Sequence, residues 1–258
     1  MSWTLKSFLT LLWKEILRYL RVATQTVLSP VISSALYMIV FGVSLGSFLQ
    51  SDSYLRFLIP GLLAMSALNN ALQNSASSII ISKFHGDLQD LRVLPLRPIT
   101  ITIAYALAGW TRACLCALAV FGVGQFLLWI SSMPFLEIQN VFGLIYFVSV
   151  GALFFAFVGI WAGFWANSFD QMNVITQFVV LPLIYLGGVF YSLDVLPAFW
   201  QKVAMFNPLV YFINGIRWSF LGQSDLSIQS CFVVSFGFLI VAALLAWRGV
   251  LKGSYFRF

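Results

Sequence analysis

Six stretches of this sequence are each long and apolar enough to cross a lipid bilayer as a helix, which needs about 20 residues. Only 9% of the residues are charged and the mean hydropathy is +0.95, so lipid rather than water must solvate much of the surface. The 258 residues therefore predict one all-α integral membrane domain with six transmembrane helices. The predicted spans lie at about 25–48, 57–80, 100–130, 139–165, 173–191 and 229–250.

The lysines and arginines are distributed unevenly among the loops, which predicts the orientation in the membrane. With the N-terminus in the cytoplasm, ten of the 14 fall in cytoplasmic segments, and three (Arg56, Lys202 and Arg217) fall in outer segments. The fourteenth, Arg112, lies within the third span. This bias predicts that both termini are cytoplasmic. It also explains the net charge of +6 without a nucleic-acid partner.

The N-terminal segment combines cationic and apolar side chains in a helical pattern. Lys6, Thr10, Lys14, Arg18 and Arg21 recur every three or four residues on one face, and apolar side chains fill the other. The pattern predicts an amphipathic helix over 3–22 that lies in the membrane interface, with its cations toward anionic lipid headgroups. The alternative is a cationic flank to the first span.

The segment 192–222 contains an apolar run, but we predict that it is not a seventh span. A complete crossing would move the C-terminal basic residues outside and break the Lys/Arg bias. It would also place Arg217 in hydrocarbon, at a cost of about 2.5–3.5 kcal/mol, and Asn207-Pro208 would interrupt the helix. A re-entrant pair of short helices that enters from the outer face fits these residues better, provided that protein or water covers its backbone.

One side of the second span is polar. The residues of this polar stripe are Asn69, Asn70, Gln73, Asn74, Ser77 and Ser78. They recur at helical spacing, and amides facing lipid would be costly, so the stripe should face protein or a water-filled path. Two interpretations remain open, a wall of a substrate path or hydrogen bonds between helices worth about 0.6 kcal/mol each. The role of Arg112 is also left open, because its side chain could contact an anionic substrate headgroup, pair with a carbonyl group or extend along a tilted helix.

The sequence has no nucleotide-binding motif and few residues suited to catalysis within the membrane. No Gly-Lys dipeptide occurs, so the chain has no phosphate loop and ATP hydrolysis would belong to another polypeptide. None of the eight acids falls in the middle of a predicted span, which counts against the main alternative function, an ion-gradient-driven secondary transporter. A non-transporting membrane scaffold is a further alternative. One histidine and three cysteines in apolar stretches predict no metal site.

The loop 83–98, between the second and third spans, predicts a short amphipathic helix at the cytoplasmic face. Phe84, Leu88 and Leu91 fall on one edge, flanked by Asp87 and Asp90. An exposed helix of this kind indicates docking into a groove of a partner protein. The alternative is a helix that lies on lipid headgroups, which two acids disfavour on an anionic leaflet.

Several longer motifs resemble a known family. They are Leu181-Pro182-Leu183-Ile184-Tyr185-Leu186-Gly187-Gly188-Val189-Phe190-Tyr191-Ser192, Leu196-Pro197-x-Phe199-Trp200, Asn207-Pro208-Leu209-Val210-Tyr211 and Gly215-Ile216-Arg217. Ile59-Pro60-Gly61-Leu62 and the loop from Lys83-Phe84 to Leu94-Pro95 are also similar. Over essentially the whole chain, the sequence resembles the ABC-2 type permease family, in particular its YadH-like and NodJ-like members.

The resemblance implies an ABC-2, type V exporter-like architecture and a function. The chain would be the membrane-spanning permease subunit of an ATP-driven exporter in a bacterial inner membrane, with an amphipathic or lipid-like substrate. Its partners would be a second copy of itself, a cytoplasmic ABC ATPase subunit and membrane lipid. ATP and Mg²⁺ would bind to the ATPase, and this chain would carry no cofactor.

The resemblance also implies roles for particular residues. The segment 84–92 is similar to a coupling helix that docks on the ATPase, 3–22 to an interfacial connecting helix, and 192–222 to outer re-entrant helices. The ATPase-coupling residues are then Phe84, His85, Gly86, Asp87, Leu88, Gln89, Asp90, Leu91 and Arg92. The outer-gate residues are Gly187, Gly188, Phe190, Tyr191, Phe199, Trp200, Asn207, Pro208, Tyr211 and Arg217. The candidate path residues come from the polar stripe and the third span rather than from the resemblance, and they are Asn69, Asn70, Gln73, Asn74, Ser77 and Arg112. Either Asp87 or Asp90 could be the main ATPase contact.

Overall fold

A computed structural model describes residues 3–45, 54–86 and 97–253. Throughout these ranges the regular structure is helical, without a strand, and six helices are long and apolar enough to cross a membrane. The predicted all-α membrane architecture with six spans is therefore confirmed. Spans 1 to 6 run over Thr24–Gly42, Tyr54–His85, Pro98–Ile130, Val141–Trp165, Phe169–Leu186 and Ile228–Leu251.

Within the described ranges, three α-helices lie outside the spans and are called α1 to α3. The N-terminal helix α1 covers Trp3–Leu20, and the outer hairpin consists of α2, Ala198–Met205, and α3, Pro208–Leu221. A 3₁₀ turn at Leu193–Val195 precedes the hairpin. Below, the inner end of the bundle is the end at which span 2 finishes with His85, and the outer end is the opposite one, following the predicted topology.

Span 2 is the central helix of the bundle. Its 32 residues are mostly buried, and it packs most extensively against spans 3 and 4. Glycine allows the closest of these approaches, since a Cβ on Gly159 of span 4 would lie only 2.4 Å from the carbonyl oxygen of Leu72. Because span 2 is enclosed in this way, its polar stripe faces other parts of the protein rather than lipid.

Spans 1 and 5 are irregular helices, and only 22% of the residues in the most apolar part of each are buried on the single subunit. Span 1 consists of a π-helix at Thr24–Leu28, an α-helix at Ser29–Tyr37 and a second π-helix at Met38–Leu45. Span 5 consists of Phe169–Ile175, a π-helix at Thr176–Val180, and Leu181–Leu186. A π-helical turn is wider than an α-helical one and is uncommon. The two spans are therefore the least regular parts of the bundle.

The predicted span limits lie within about five residues of those in the structure, and the largest differences are at the ends of spans 2 and 5. Span 2 was predicted to end at residue 80 but continues to His85. Span 5 was predicted to reach residue 191 but ends at Leu186, because Gly187 and Gly188 follow and Gly188 adopts a φ of +81° that a helix does not permit. The last helix continues to Gly253. The predicted end of span 1 at residue 48 lies outside the described residues.

The outer hairpin is too short to cross a bilayer. At 1.5 Å per residue, α2 and α3 are about 12 and 21 Å long, against about 30 Å of hydrocarbon. α3 packs against spans 2, 4 and 6, and the side chains of Phe212 and Ile213 are fully buried there. This geometry fits the predicted re-entrant segment, although its entry from the outer face stays a prediction.

Candidate substrate path, outer gate and coupling surface

The inner half of the polar stripe is covered by α1. Arg18 and Glu15 form an ion pair with 3.0 Å between Nε and a carboxylate oxygen, and Glu15 is only 2% exposed. The Ser78 hydroxyl donates a 2.6 Å hydrogen bond to the same carboxylate oxygen. The Arg18 guanidinium donates to two oxygens of Asn74, at 3.1 and 3.2 Å, and to Ser77 at 3.3 Å. This half of the stripe is therefore a contact between helices.

The prediction that the cations of α1 face lipid headgroups is wrong for Arg18. Its side chain points into the bundle, because Glu15 neutralises it there and span 2 supplies several acceptor oxygens. Lys6 and Arg21 remain exposed. One turn further along the stripe, Gln73 also contacts a neighbouring helix and donates a 3.1 Å hydrogen bond to the Thr176 hydroxyl of span 5.

The outer half of the stripe borders a polar cavity of about 250 Å³, called the mid-membrane cavity. Asn69 and Asn70 line it from span 2, and Arg112 lines it from span 3 and donates a 3.0 Å hydrogen bond to Asn70. At 1.5 Å per residue, Asn70 lies about 24 Å from the start of span 2 and about 22 Å from its end. Arg112 is thus held near the middle of the bundle rather than extended to the interface.

Span 1 supplies a third wall of the mid-membrane cavity, which was not predicted. Its polar lining residues are Gln25, Thr26, Ser29, Ser33 and Ser34. Gln25, Ser29 and Ser33 follow one another at intervals of four residues, so they lie on one helical face. The same periodicity that reveals the stripe of span 2 could have found them.

Hydrogen bonds hold the break between α2 and α3. The Asn207 side chain caps α3 by accepting from the N–H of Leu209 at 3.0 Å, and it donates to the carbonyl of Leu183 in span 5 at 2.6 Å. Pro208 occupies the first position of α3, where the backbone N–H it lacks would have no helical partner. Asn207 and Pro208 therefore define the start of α3, and Asn207 ties it to span 5.

Arg217 joins three parts of the outer end. It is 2% exposed, and its guanidinium donates a 2.7 Å hydrogen bond to the carbonyl of Gly188. It lies 3.9 Å from a carboxylate oxygen of Asp225 and 3.8 Å from the ring centroid of Phe57. Asp225 in turn accepts from the N–H of Leu193 at 2.8 Å. Arg217 thus connects α3 with span 2 and with the chain after span 5, and Asp225 is a partner that the sequence did not indicate.

Phe190 lies at the centre of an aromatic cluster at the outer end. Its ring centroid is 5.7 Å from that of Tyr37, 5.2 Å from that of Phe41 and 5.9 Å from that of Tyr185. The Tyr54 hydroxyl donates a 2.8 Å hydrogen bond to its carbonyl group. The cluster connects spans 1, 2 and 5, and only Phe190 was predicted.

The remaining predicted gate residues lie nearer the surface. Phe199 and Trp200 on α2 are 68% and 46% exposed, with ring centroids 5.5 Å apart. Tyr211 donates a 2.8 Å hydrogen bond to the carbonyl of Met205, which ties α3 to α2. Tyr191 is partly buried. The structure therefore connects the glycines, Phe190, Asn207, Pro208 and Arg217 through shared helices and loops, but it leaves Phe199 and Trp200 outside that network.

At the inner end, a lysine ties span 2 to span 4. Nζ of Lys83 donates two 2.7 Å hydrogen bonds, to the carbonyl oxygens of Phe164 and Ala166. These two carbonyl groups lie at the C-terminus of span 4, where the lysine caps them and its positive charge interacts favourably with the helix dipole. The base of the predicted coupling segment is therefore fixed to the connection between spans 4 and 5.

Three of the predicted ATPase-coupling residues are described. Phe84 is 61% exposed, and its ring stacks on that of Phe169 with the centroids 6.0 Å apart. His85 is exposed, and Gly86 ends the helix with a φ of +78°. The sequence did not indicate Phe169. Asp87, Leu88, Gln89, Asp90, Leu91 and Arg92 lie outside the described residues.

Comparison with known families agrees with this geometry. Residues 6–221 match the family model described as ABC-2 type transporter, which covers most of the chain. The chain belongs to the ABC-2 type transporter family. It is 36% identical over 247 residues to the inner membrane transport permease YadH of Escherichia coli K12, covering 95% of this chain and 94% of that protein. It is 25% identical over 249 residues to Nodulation protein J of Rhizobium leguminosarum bv. viciae, covering 91% and 92%.

Membership of the ABC-2 family confirms the predicted family and the coarse function. The chain is the membrane subunit of an ABC transporter, which is not itself an enzyme and works with a partner ATPase. The described residues contain no group of three His, Cys, Asp or Glu side chains that could hold a metal ion.

Proposed function

We propose that this ABC-2 subunit is the permease of an ATP-driven exporter for an amphipathic or lipid-like substrate. The observation that carries the proposal is the mid-membrane cavity, which lies halfway along span 2 and is lined by an arginine, amides and hydroxyls. A path for a polar headgroup needs such groups at membrane depth, and a purely structural bundle does not. The apolar exposed faces around it would accommodate the rest of an amphipathic molecule.

A second copy of the chain would complete the transporter. Ser29 and Ser33 are exposed on the single subunit, although they line the mid-membrane cavity and lie at membrane depth. Polar groups exposed at this depth should be covered by protein or water rather than lipid. A symmetric contact along spans 1 and 5 would enclose the cavity between two copies. In a chain whose Cys114, Cys116 and Cys231 are replaced by alanine, cross-linking of Ile32→Cys should give a dimer, whereas Val233→Cys on span 6 should not.

The cytoplasmic partner would dock on the loop after span 2 and on Phe84 and Phe169. ATP and Mg²⁺ would bind to that ATPase, and closure of the ATPase pair would shift the membrane subunits between two arrangements. Lys83 would pass the movement to span 4 because it bonds directly to the end of that span. At the other end, Asn207 and Arg217 would hold the outer gate.

The test of ATP-driven transport is reconstitution with the partner ATPase in proteoliposomes that contain a fluorescent phospholipid. We expect ATP-dependent movement of the probe between leaflets, with loss of the movement when the phosphate-loop lysine of the ATPase is replaced. Movement that persists with the inactive ATPase would contradict the proposal. Movement that collapses with an uncoupler at constant ATP would favour the ion-gradient alternative.

Docking is tested separately with Asp87→Lys/Asp90→Lys. Reversal of both charges should weaken co-purification of the ATPase while insertion stays normal, because the two acids flank the apolar edge of the predicted coupling helix. Asp194→Lys, on an exposed outer turn, is the matched control and should leave docking unchanged. Unchanged co-purification of the double variant would show that another element docks.

The proposed location is a bacterial inner membrane with both termini in the cytoplasm. Support comes from the ten-to-three Lys/Arg bias and from the similarity to an inner membrane transport permease. A reporter enzyme fused after Phe258 should be active only if it is one that functions in the cytoplasm. Activity of a periplasmic reporter at that position would mean an odd number of crossings.

A further inference from the structure

We infer that the mid-membrane cavity is a binding site for a phosphate-bearing headgroup, held by Arg112 and the hydroxyl groups around it. The inference rests on the proposed function only in treating the ligand as cargo, because binding itself does not require transport.

Charge is the first argument. Arg18 and Arg112 bond to Asn74 and Asn70, so the two guanidinium groups approach the same face of span 2 one helical turn apart. Glu15 neutralises Arg18. Among the described residues that line the cavity, none carries a carboxylate, so the charge of Arg112 has no acidic counterpart there. A buried cation in this situation favours an anionic ligand.

Unsatisfied polar atoms are the second argument. Nε of Arg112, Oδ1 of Asn69 and the hydroxyl of Ser66 are buried and have no hydrogen-bond partner within the described part of the chain. All three residues line the same cavity, and Ser66 is only 6% exposed. Buried polar groups are normally paired, so three unpaired atoms around one cavity indicate an absent partner. A phosphate offers several acceptor oxygens to a guanidinium and to hydroxyls, and a protonated phosphate oxygen can donate to the amide oxygen.

The shape of the site is the third argument, and it favours a lipid-borne phosphate. The cavity of about 250 Å³ opens toward span 1, where Ser29 and Ser33 are exposed beside it. On the neighbouring surface, Leu28, Ile32 and Leu36 are 54%, 49% and 56% exposed. A headgroup in the cavity would therefore leave its acyl chains against this apolar surface, which in the proposed dimer borders the space between the two copies. Free phosphate offers the same charged oxygens but has no apolar part that could bind to this surface.

The experiment uses the purified full-length chain in neutral detergent and measures binding through thermal stabilisation and native mass spectrometry. The probes are dioctanoyl phosphatidic acid, dioctanoylglycerol with the same acyl chains but no phosphate, and inorganic phosphate. We expect phosphatidic acid to bind at least tenfold more tightly than dioctanoylglycerol. Inorganic phosphate should bind weakly. If it binds as tightly as phosphatidic acid, the anion site is supported but its ligand is the free ion.

Variants then assign the site. Arg112→Gln should weaken binding of phosphatidic acid about tenfold or more, the effect of losing a charge-assisted hydrogen bond. Arg248→Gln removes the same charge from an exposed position near the end of span 6 and should leave binding unchanged. If Arg112→Gln does not fold, Ser33→Ala and Ser66→Ala each remove one hydroxyl and should weaken binding about threefold to tenfold.

Two outcomes would overturn the inference. One is equal binding of phosphatidic acid and dioctanoylglycerol, and the other is binding that is the same in the Arg112→Gln, Ser33→Ala and Ser66→Ala variants as in the parent protein. Because no ATPase is present, failure of ATP-driven transport would leave these results intact, and the two proposals fail separately.

Discussion

The contact between α1 and span 2 gives the sharpest prediction, because it depends on one buried ion pair. The Glu15 side chain is only 2% exposed. In Arg18→Met its carboxylate would keep Ser78 as its remaining hydrogen-bond donor among the described residues. Breaking a buried ion pair on one side costs about 3–5 kcal/mol. Since Arg18 is itself 24% exposed and Ser78 stays in place, we expect the lower end, about 3 kcal/mol.

A double-mutant cycle separates this pair from its surroundings. In Glu15→Leu/Arg18→Met both charges are absent, and replacing a whole ion pair with apolar side chains is close to neutral. Asn74 loses the Arg18 donor, while Ser78 keeps its 2.9 Å bond to the carbonyl of Asn74, so the double variant should cost only about 1 kcal/mol. Arg21→Met removes an exposed arginine just after α1 and is the matched control, with an expected change below about 0.5 kcal/mol.

Thermal unfolding of the purified variants, followed by tryptophan fluorescence, is the measurement. At this chain length 1 kcal/mol corresponds to about 2–4 °C in Tm, so Arg18→Met should lower Tm by about 6–12 °C and the double variant by a few degrees. The reasoning is refuted if Arg18→Met behaves like Arg21→Met, or if the double variant is as unstable as Arg18→Met alone.

Three further predictions concern other contacts. Gly159→Ala should destabilise the protein by about 1–3 kcal/mol, because its Cβ would lie 2.4 Å from the carbonyl oxygen of Leu72. Gly122→Ala, in the open part of span 3, is the control and should not destabilise it, so equal unfolding temperatures of the two variants would contradict this. Asn207→Ala should cost about 2 kcal/mol through loss of the α3 cap and of the bond to Leu183, and a shift no larger than that of Asn167→Ala, at an exposed position, would show that the cap is dispensable. Lys83→Met should insert normally but reduce the stimulation of the partner ATPase, because it frees span 2 from the end of span 4. Lys202→Met, at an exposed position on α2, should leave the stimulation unchanged, and equal stimulation in the two variants would count against the role of Lys83.

The spans could be predicted from sequence because each depends on a local property, an apolar run as long as the hydrocarbon is thick. The same property explains the error in span 5. Its apolar run continues through Val189, Phe190 and Tyr191, although the helix ends at Leu186. What stops it is backbone conformation at Gly187 and Gly188, and hydropathy carries no information about conformation.

The hairpin was also accessible from sequence, since Asn207-Pro208 marks the start of a helix by its own chemistry. The contact that attaches the hairpin to the chain after α3 could not be predicted from the sequence. Asp225 lies eight residues after Arg217, beyond the glycine that ends α3, and only the folded chain shows that the two side chains face each other. A periodic pattern identifies residues on one helix, but it does not identify a partner across a turn.

The polar stripe shows where such reasoning reaches its limit. Helical periodicity places its six residues on one face of span 2, but it does not say which neighbour covers each turn. The answer depends on contacts between residues about 60 positions apart in sequence, since Glu15 and Arg18 reach Ser77 and Ser78 only when α1 folds back onto span 2. α1 ends its cover at Asn74, so the next turns face the cavity and Arg112. The interpretation as a contact between helices therefore holds for the inner half of the stripe, while the outer half lines the mid-membrane cavity, where a substrate path stays a prediction.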